Sequence, residues 1–422
     1  MGVEQGEGGV RVDIVNRVAK EGIFTERVKR FQEWVTEFDE TGRLPRKEKL
    51  RASEANFGAC RRVYQWPRKE DFPREPEEQL GALERMMVGR DIRAAKLSAS
   101  TRRSDLDWLR ELAGLRDLQV IIMTSKEFYQ GQGQDWGQVV REGELVTFKG
   151  GWTSSGSVWE DLPRNIIERK GETVCLIFSA IPFGISDFAP GQWEFAKQAE
   201  IITHESIRFL YALWERALGV RQRKAVEIAH SFMGAEILQR PEHELGRRGR
   251  SHIALAPALI SRFGFGDYSA LGLSAALAGG LPGVFNPAIQ RVINKLIKHL
   301  VGEADWRIKK THEAVMALAL QRGDLNQSPA HAIDYLARDQ GRIKKKQLLE
   351  RTRVVIAGGD PLVDPVMLEE LYEAGITPEQ VESCFFSGHY TWAETNAKKE
   401  SRRIAAQGVR RRVLDWVREF SS

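Results

Sequence analysis

Three polar side chains stand just beyond apolar runs in the second half of this sequence. Ser231 follows KAVEIAH, Asp360 follows RVVIAGG and His389 follows VESCFFSG. Together these types can do chemistry. A serine hydroxyl is a weak nucleophile until a neighbouring imidazole accepts its proton. The imidazole needs a carboxylate to hold its tautomer and to stabilise the imidazolium. A developing oxyanion needs fixed donors, usually backbone N–H groups. Gly150-Gly151, directly after the apolar run ELVTFK, would let the backbone approach a ligand and expose such donors. The chemistry would be acyl transfer.

Each residue also has a plainer reading. Ser231 suits the N-cap of a helix running from Phe232 onward. His230 reads as a spacer. Asp360 and Asp364 sit in DPLVDP, where Asp-Pro starts turns. Gly150-Gly151 could be a bend.

The elements decide whether these residues can meet. Residues 141–422 alternate strand and helix signals. Strands are expected at 144–149, 173–179, 224–229, 251–256, 353–358 and 381–387, dense in Val, Ile, Leu and Phe as in strands buried on both faces. Helical patterns lie between them, the longest over 192–219. That alternation predicts an α/β fold with a mostly parallel, doubly wound sheet, whose site lies beyond the carboxyl ends of the strands. Residues 1–140 are charge-dense and expected to be a mainly helical N-terminal extension of unknown role. They include an amphipathic stretch through Val28, Phe31, Trp34 and Val35, a helix opening at Ser104 and a strand at 118–125.

The second part resembles the α/β-hydrolase family, as a serine hydrolase or esterase. The order serine, acid, histidine is that of the fold. LVTFKGGWTSSGSVWEDL resembles its first site strand and oxyanion loop, and SAIPFGISDFAPG its GxGxSD turn, through Gly184-Ile185-Ser186-Asp187. AHSFMGAEIL resembles the GxSxG nucleophile elbow, VVIAGGDPLVDP the acid loop and SGHYTW the histidine loop. The likeness covers about residues 140–422. It implies Ser231 as nucleophile, His389 as general base and Asp360 as orienting acid, with Asp364 as a rival acid. The backbone N–H groups of Gly151 and Phe232 would form the oxyanion hole. Two positions depart from the pattern. Met233 stands where the elbow has its second glycine, although Gly234 follows, and Lys149 stands where a histidine usually precedes the oxyanion glycines. The resemblance also implies a lid over 258–346 that decides the substrate. Its apolar, Gly-rich opening favours a hydrophobic acyl or aromatic group.

Bulk properties bound the rest. With 422 residues, 42% of them hydrophobic and 29% charged, the chain reads as a soluble globular protein with a large core. A net charge of +5 does not by itself point to nucleic acid, and the basic runs 342–353 and 402–420 read as solvated helix faces. Cys60, Cys175 and Cys384 form neither a disulfide framework nor a zinc motif. The opening MGVEQGEGGVRVDIV has no apolar signal region. The uncharged stretch 268–290 is long enough for a bilayer, but its glycines and two prolines suit a buried or pocket-lining segment better. The expectation is a cytoplasmic, carboxylesterase-like hydrolase of the EC 3.1 class with a small-molecule acyl substrate. No metal, cofactor, nucleic acid or stable membrane insertion is expected. A serine at the elbow argues against dehalogenase and epoxide-hydrolase chemistry. The alternative is a catalytically degenerate binding or scaffold protein on the same fold, prompted by Met233 and Lys149.

Overall fold

The computed structural model describes residues 25–46, 55–63, 72–98, 119–151, 154–179, 203–245, 249–258, 301–321, 349–360 and 367–422. The expected helix from Ser104, the stretch 268–290, most of the lid, the 184–187 turn and Asp364 lie outside them.

Among the described residues nine strands form one sheet: β1 (Arg61–Val63), β2 (Ile92–Ser98), β3 (Gln119–Ser125), β4 (Glu144–Lys149), β5 (Thr173–Phe178), β6 (Ala225–His230), β7 (Arg250–Leu255), β8 (Thr352–Ala357) and β9 (Val381–Cys384). Their order across the sheet is β1-β2-β3-β5-β4-β6-β7-β8-β9. The β1–β2, β2–β3 and β3–β5 pairings are antiparallel and the others parallel. The helices are α1 (25–41), α2 (Pro76–Met86), α3 (Lys126–Gly131), α4 (Trp136–Glu142), α5 (Leu162–Arg169), α6 (His204–Ala217), α7 (Phe232–Gln239), α8 (Glu242–Leu245), α9 (Trp306–Gln321), α10 (Met367–Glu373) and α11 (Glu400–Ser421).

Strand periodicity sorts the core into two layers. Along β6, Ala225 and Ala229 face one layer with α1, α4, α6, α7 and α10, while Val226 and Ile228 face the other with α5 and α11. Because helices cover both faces, the central strands are buried along their whole length. The helix α11 presents Val409, Val413, Leu414, Trp416, Val417 and Phe420 to the sheet. Each such side chain contributes about 1.5–3 kcal/mol of apolar burial before entropy is subtracted. Ile404, which the sequence pattern groups with this face, is instead 62% exposed.

The sheet runs through the boundary expected at residue 140. The N-terminal part, expected to be mainly helical, supplies β1, β2 and β3, and β3 pairs with β5 in the register Val120↔Phe178. The helix α1 packs Phe31 and Phe38 against Phe209 of α6, at ring separations of 5.8 and 5.6 Å. The helix α2 buries Leu80 against Ala314, Val315 and Leu318 of α9. The strand expected at 381–387 stops at Cys384, and Phe385 and Phe386 are 70% and 68% exposed. Among the described residues no helix is long and apolar enough to cross a membrane.

Candidate active site

The chain turns sharply after β6. Ser231 takes φ 56°, ψ −120°. That region costs a residue with a Cβ about 1–3 kcal/mol. The turn is pinned on both sides. Ser231 N–H donates to Leu255 O at 3.0 Å, extending the β6–β7 ladder by one residue. Ser231 O accepts from Ala235 N at 2.9 Å, the first turn of α7, and from Ala258 N at 3.1 Å. The Ser231 side chain does not cap that helix, so the plainer reading of this serine has no support in the geometry. Phe232 opens α7, where first-turn N–H groups point out along the axis.

Gly151 lies directly against this turn. A Cβ there would stand 2.6 Å from Ser231 Cβ and 3.2 Å from His230 O. Only glycine fits so close an approach. Ser154 Oγ donates to Gly151 O at 2.6 Å and fixes the loop. Met233 is accommodated in the core, 2% exposed. The close approach falls one place later, at Gly234, where a Cβ would be 3.2 Å from Pro257 Cα. Displacement of the small residue by one position thus leaves the turn intact.

The acid and histidine loops meet through two further glycines. Gly358 N–H donates to Cys384 O and Gly359 N–H to Ser387 O, each at 3.0 Å. Added Cβ atoms would stand 2.8 Å from Phe385 Cα and 2.9 Å from Ser387 O. This contact brings Asp360 Oδ2 to 2.5 Å from His389 Nδ1. With Nδ1–H donating to the carboxylate, Nε2 is the atom left to accept a proton. Both side chains are almost fully buried. Gly388 N–H donates to Glu394 Oε1 at 3.1 Å, and Arg402 Nη1 holds the same oxygen at 3.2 Å.

His230, read from sequence as a spacer, is wholly buried. Its Nε2 donates to His389 O at 3.0 Å. Its ring centroid is 4.4 Å from that of His389, 4.7 Å from Tyr390 and 4.8 Å from Trp392, with Trp159 stacked on Trp392 at 5.2 Å. Burial, and then the neighbouring His389, hold His230 well below the usual imidazole range. His312 of α9 hydrogen-bonds the Tyr390 hydroxyl, so α9 reaches the loop that carries His389. Burial, then the Asp360 carboxylate, raise the Tyr390 phenol well above its ordinary value. No sequence signal sets His230 or His312 apart from core histidines.

Lys149 sits at the end of β4, buried, with Nζ 2.9 Å from Glu227 Oε1 and 3.1 Å from Glu215 Oε1. Glu227 also pairs with Arg240 at 2.7 Å, and Glu215 with Arg250 at 3.0 Å. The lysine therefore anchors the strand end that leads into Gly150-Gly151. Ser231 and the His389–Asp360 pair lie beyond the carboxyl ends of β6, β8 and β9. Among the described residues Ser231 Oγ and His389 Nε2 make no hydrogen bond to each other. Such bonds are often loose without substrate. Among the described residues no group of three or more His, Cys, Asp or Glu side chains could hold a metal ion.

No protein-family model and no curated protein matches the chain. Solved structures do. A peroxisomal alpha-beta-hydrolase from Saccharomyces cerevisiae is 13% identical, covering 78% of this chain and 89% of that one, with a TM-score of 0.44. A haloalkane dehalogenase from Agrobacterium tumefaciens C58 is 14% identical over 73% and 94% of the two chains, with a TM-score of 0.44. An esterase from Exiguobacterium antarcticum is 11% identical over 72% and 96%, with a TM-score of 0.45. At these identities and TM-scores the likeness carries no activity with it.

Proposed function

We propose that this chain, which has the α/β-hydrolase fold, is a serine hydrolase that cleaves a carboxylic ester or thioester through an acyl-enzyme. The observation that carries the reading is the backbone of Ser231. This non-glycine residue is held at φ 56° between a strand and a helix, with its side chain not used as a cap. Such a conformation stores strain that helix formation does not need. Strain of that kind suits a nucleophile lifted clear of its own backbone.

In this mechanism His389 Nε2 takes the proton from Ser231 Oγ as the hydroxyl attacks the acyl carbon. Asp360 holds the Nδ1–H tautomer and stabilises the imidazolium. The oxyanion is met by the N–H groups of Phe232, at the start of α7, and of Gly151. His389 then protonates the leaving alcohol or thiol. Water, deprotonated by His389, releases the acid. A hydrophobic acyl or aromatic substrate agrees with the apolar sequence of the lid. Neither sequence departure favours a degenerate site, because Met233 is buried without displacing the turn and Lys149 is neutralised by two glutamates.

Labelling with a fluorophosphonate probe tests the proposal. Wild type is expected to label, and Ser231→Ala and His389→Ala to lose the label. A folded wild type that stays unlabelled would overturn it in favour of the binding-protein alternative.

A further inference from the structure

A cavity of about 430 Å³ opens at the outer edge of the sheet, between the end of β1, the start of β2 and the turn joining α3 to α4. It is far from the serine turn in the fold. The end of β3 beside it pairs with the start of β5, in the register Met123↔Cys175. That is the amino end of the parallel strands, whereas Ser231 follows the carboxyl end of β6.

Among the described residues three arginines line the cavity, Arg62, Arg90 and Arg93, and no Asp or Glu does. Among the described residues none of the three has an acidic partner. Arg93 Nη1 reaches only backbone carbonyls, Arg90 O at 3.4 Å and Ile92 O at 3.1 Å. Other described arginines do have acidic partners, as in Arg221–Glu244 at 2.9 Å and Arg307–Asp161 at 3.2 Å. Arg62 and Arg90 are exposed and Arg93 is half-buried, and like charges gathered around a concavity raise a positive potential in it. Two aromatic residues line it as well. Tyr129 and Trp136, mostly buried, lie 4.5 Å apart between ring centroids and are inclined by 35°. Gln134, at φ 61°, turns the chain at the rim.

An aromatic pair together with three arginines that have no acidic partner among the described residues is complementary to one ligand chemistry. Guanidinium forks match the oxygens of a phosphate, each able to donate two parallel hydrogen bonds. Aromatic side chains offer a stacking face to a ring. The volume falls in the range of small-molecule sites. We propose that this cavity binds an aromatic phosphate of mononucleotide size, its ring against Tyr129 and Trp136 and its phosphate on Arg62, Arg90 and Arg93. The site is separate from the hydrolytic one and does not depend on it.

Calorimetric titration of the full chain with AMP tests this, with adenosine and inorganic phosphate as its separated halves. Wild type is expected to bind AMP saturably, and adenosine and phosphate at least tenfold more weakly. The Arg62→Gln/Arg93→Gln double variant, which changes two side chains without ion pairs and so should melt as wild type does, is expected to lose at least tenfold in AMP affinity. Ser231→Ala is expected to bind AMP as wild type does. No saturable AMP binding up to millimolar concentration would overturn the proposal. So would equal affinity in the double variant, or adenosine binding as tightly as AMP.

Discussion

His230 Nε2 donates a hydrogen bond to the main-chain oxygen of His389 at 3.0 Å, so the residue before the proposed nucleophile holds the backbone of the proposed base. The two side chains sit on adjoining loops, and their rings are 4.4 Å apart. Removing the donor leaves a buried carbonyl unpaired at a cost of about 1–3 kcal/mol. Part of that cost appears as misplacement of the imidazole. The variant His230→Phe keeps a ring of similar bulk and is expected to slow fluorophosphonate labelling about ten- to a hundredfold. Because His230 stays neutral over the working range, the acid limb of the labelling rate should lie at the same pH in wild type and variant. A limb that moved with the substitution would make His230 the titrating group.

Asp360 should matter through the tautomer it selects. Its Oδ2 lies 2.5 Å from His389 Nδ1, and an amide there can donate to Nδ1 and leave the proton on Nε2. The variant Asp360→Asn is expected to lower the labelling rate by about 10³–10⁴-fold while the protein stays folded. Retention of more than a tenth of the wild-type rate would assign the acid role to another residue, with Asp364 the first to test.

Gly151 and Ser231 leave no room between them. A methyl group at Gly151 would come within 2.6 Å of Ser231 Cβ, and the clash must move one of two backbones that both line the proposed oxyanion hole. Loss of one oxyanion donor typically costs about 10²–10³ in rate. The variant Gly151→Ala is expected to lose at least that much labelling with little change in far-ultraviolet circular dichroism. A variant that labels normally would show that the N–H of Gly151 takes no part.

The strain at Ser231 has a thermodynamic signature. Its φ of 56° lies in the left-handed region. A Cβ is unfavourable there, whereas glycine adopts the region freely. Ser231→Gly is therefore expected to be about 1 kcal/mol more stable than Ser231→Ala in urea titrations, although glycine ordinarily destabilises relative to alanine. The reverse order would mean that the turn relaxes in solution.

Much of this arrangement was readable from sequence, for reasons that particular residues make clear. The runs TVCLIF and AVEIAH are apolar enough to mark strands buried on both faces, and β5 and β6 begin within a residue of their expected starts. The strand β2 was not expected, because IRAAKLS carries Arg93 and Lys96 among small residues. Lys96 is neutralised by the buried Glu84 at 2.7 Å, and Ala94, Ala95 and Leu97 do the packing. Phe385 and Phe386 misled in the opposite sense. Gly358 backs onto the Phe385 backbone and turns the chain there, so two apolar side chains project outward. At the site, residue types and strand ends pointed to Asp360 and His389 as neighbours, and their Oδ2 and Nδ1 lie 2.5 Å apart. The hydrogen bond from His230 spans 159 residues and depends on tertiary packing that no local pattern encodes.

Lys149 offers the last test, of stability and of pH together. Burial by itself would raise Glu215, but Arg250 and Lys149 bring it down to about 2 from an ordinary 4.5. Glu227 is likewise held low, burial being outweighed by Arg240 and Lys149. A carboxylate whose folded pKa is depressed contributes stability above its unfolded value and loses it as pH falls toward the folded one. Wild-type urea midpoints are therefore expected to hold steady down to about pH 4.5 and then to fall toward pH 2. The variant Lys149→Met leaves two buried carboxylates short of one cation each, at a cost of about 3–5 kcal/mol at neutral pH. With less depression to lose, its acid dependence should be shallower than that of wild type. A cost below about 1 kcal/mol, or an unchanged acid slope, would mean that Arg240 and Arg250 alone neutralise the pair. Lys149 would then anchor the β4 end by packing on Tyr211, 4.9 Å from the ring centroid, rather than by charge.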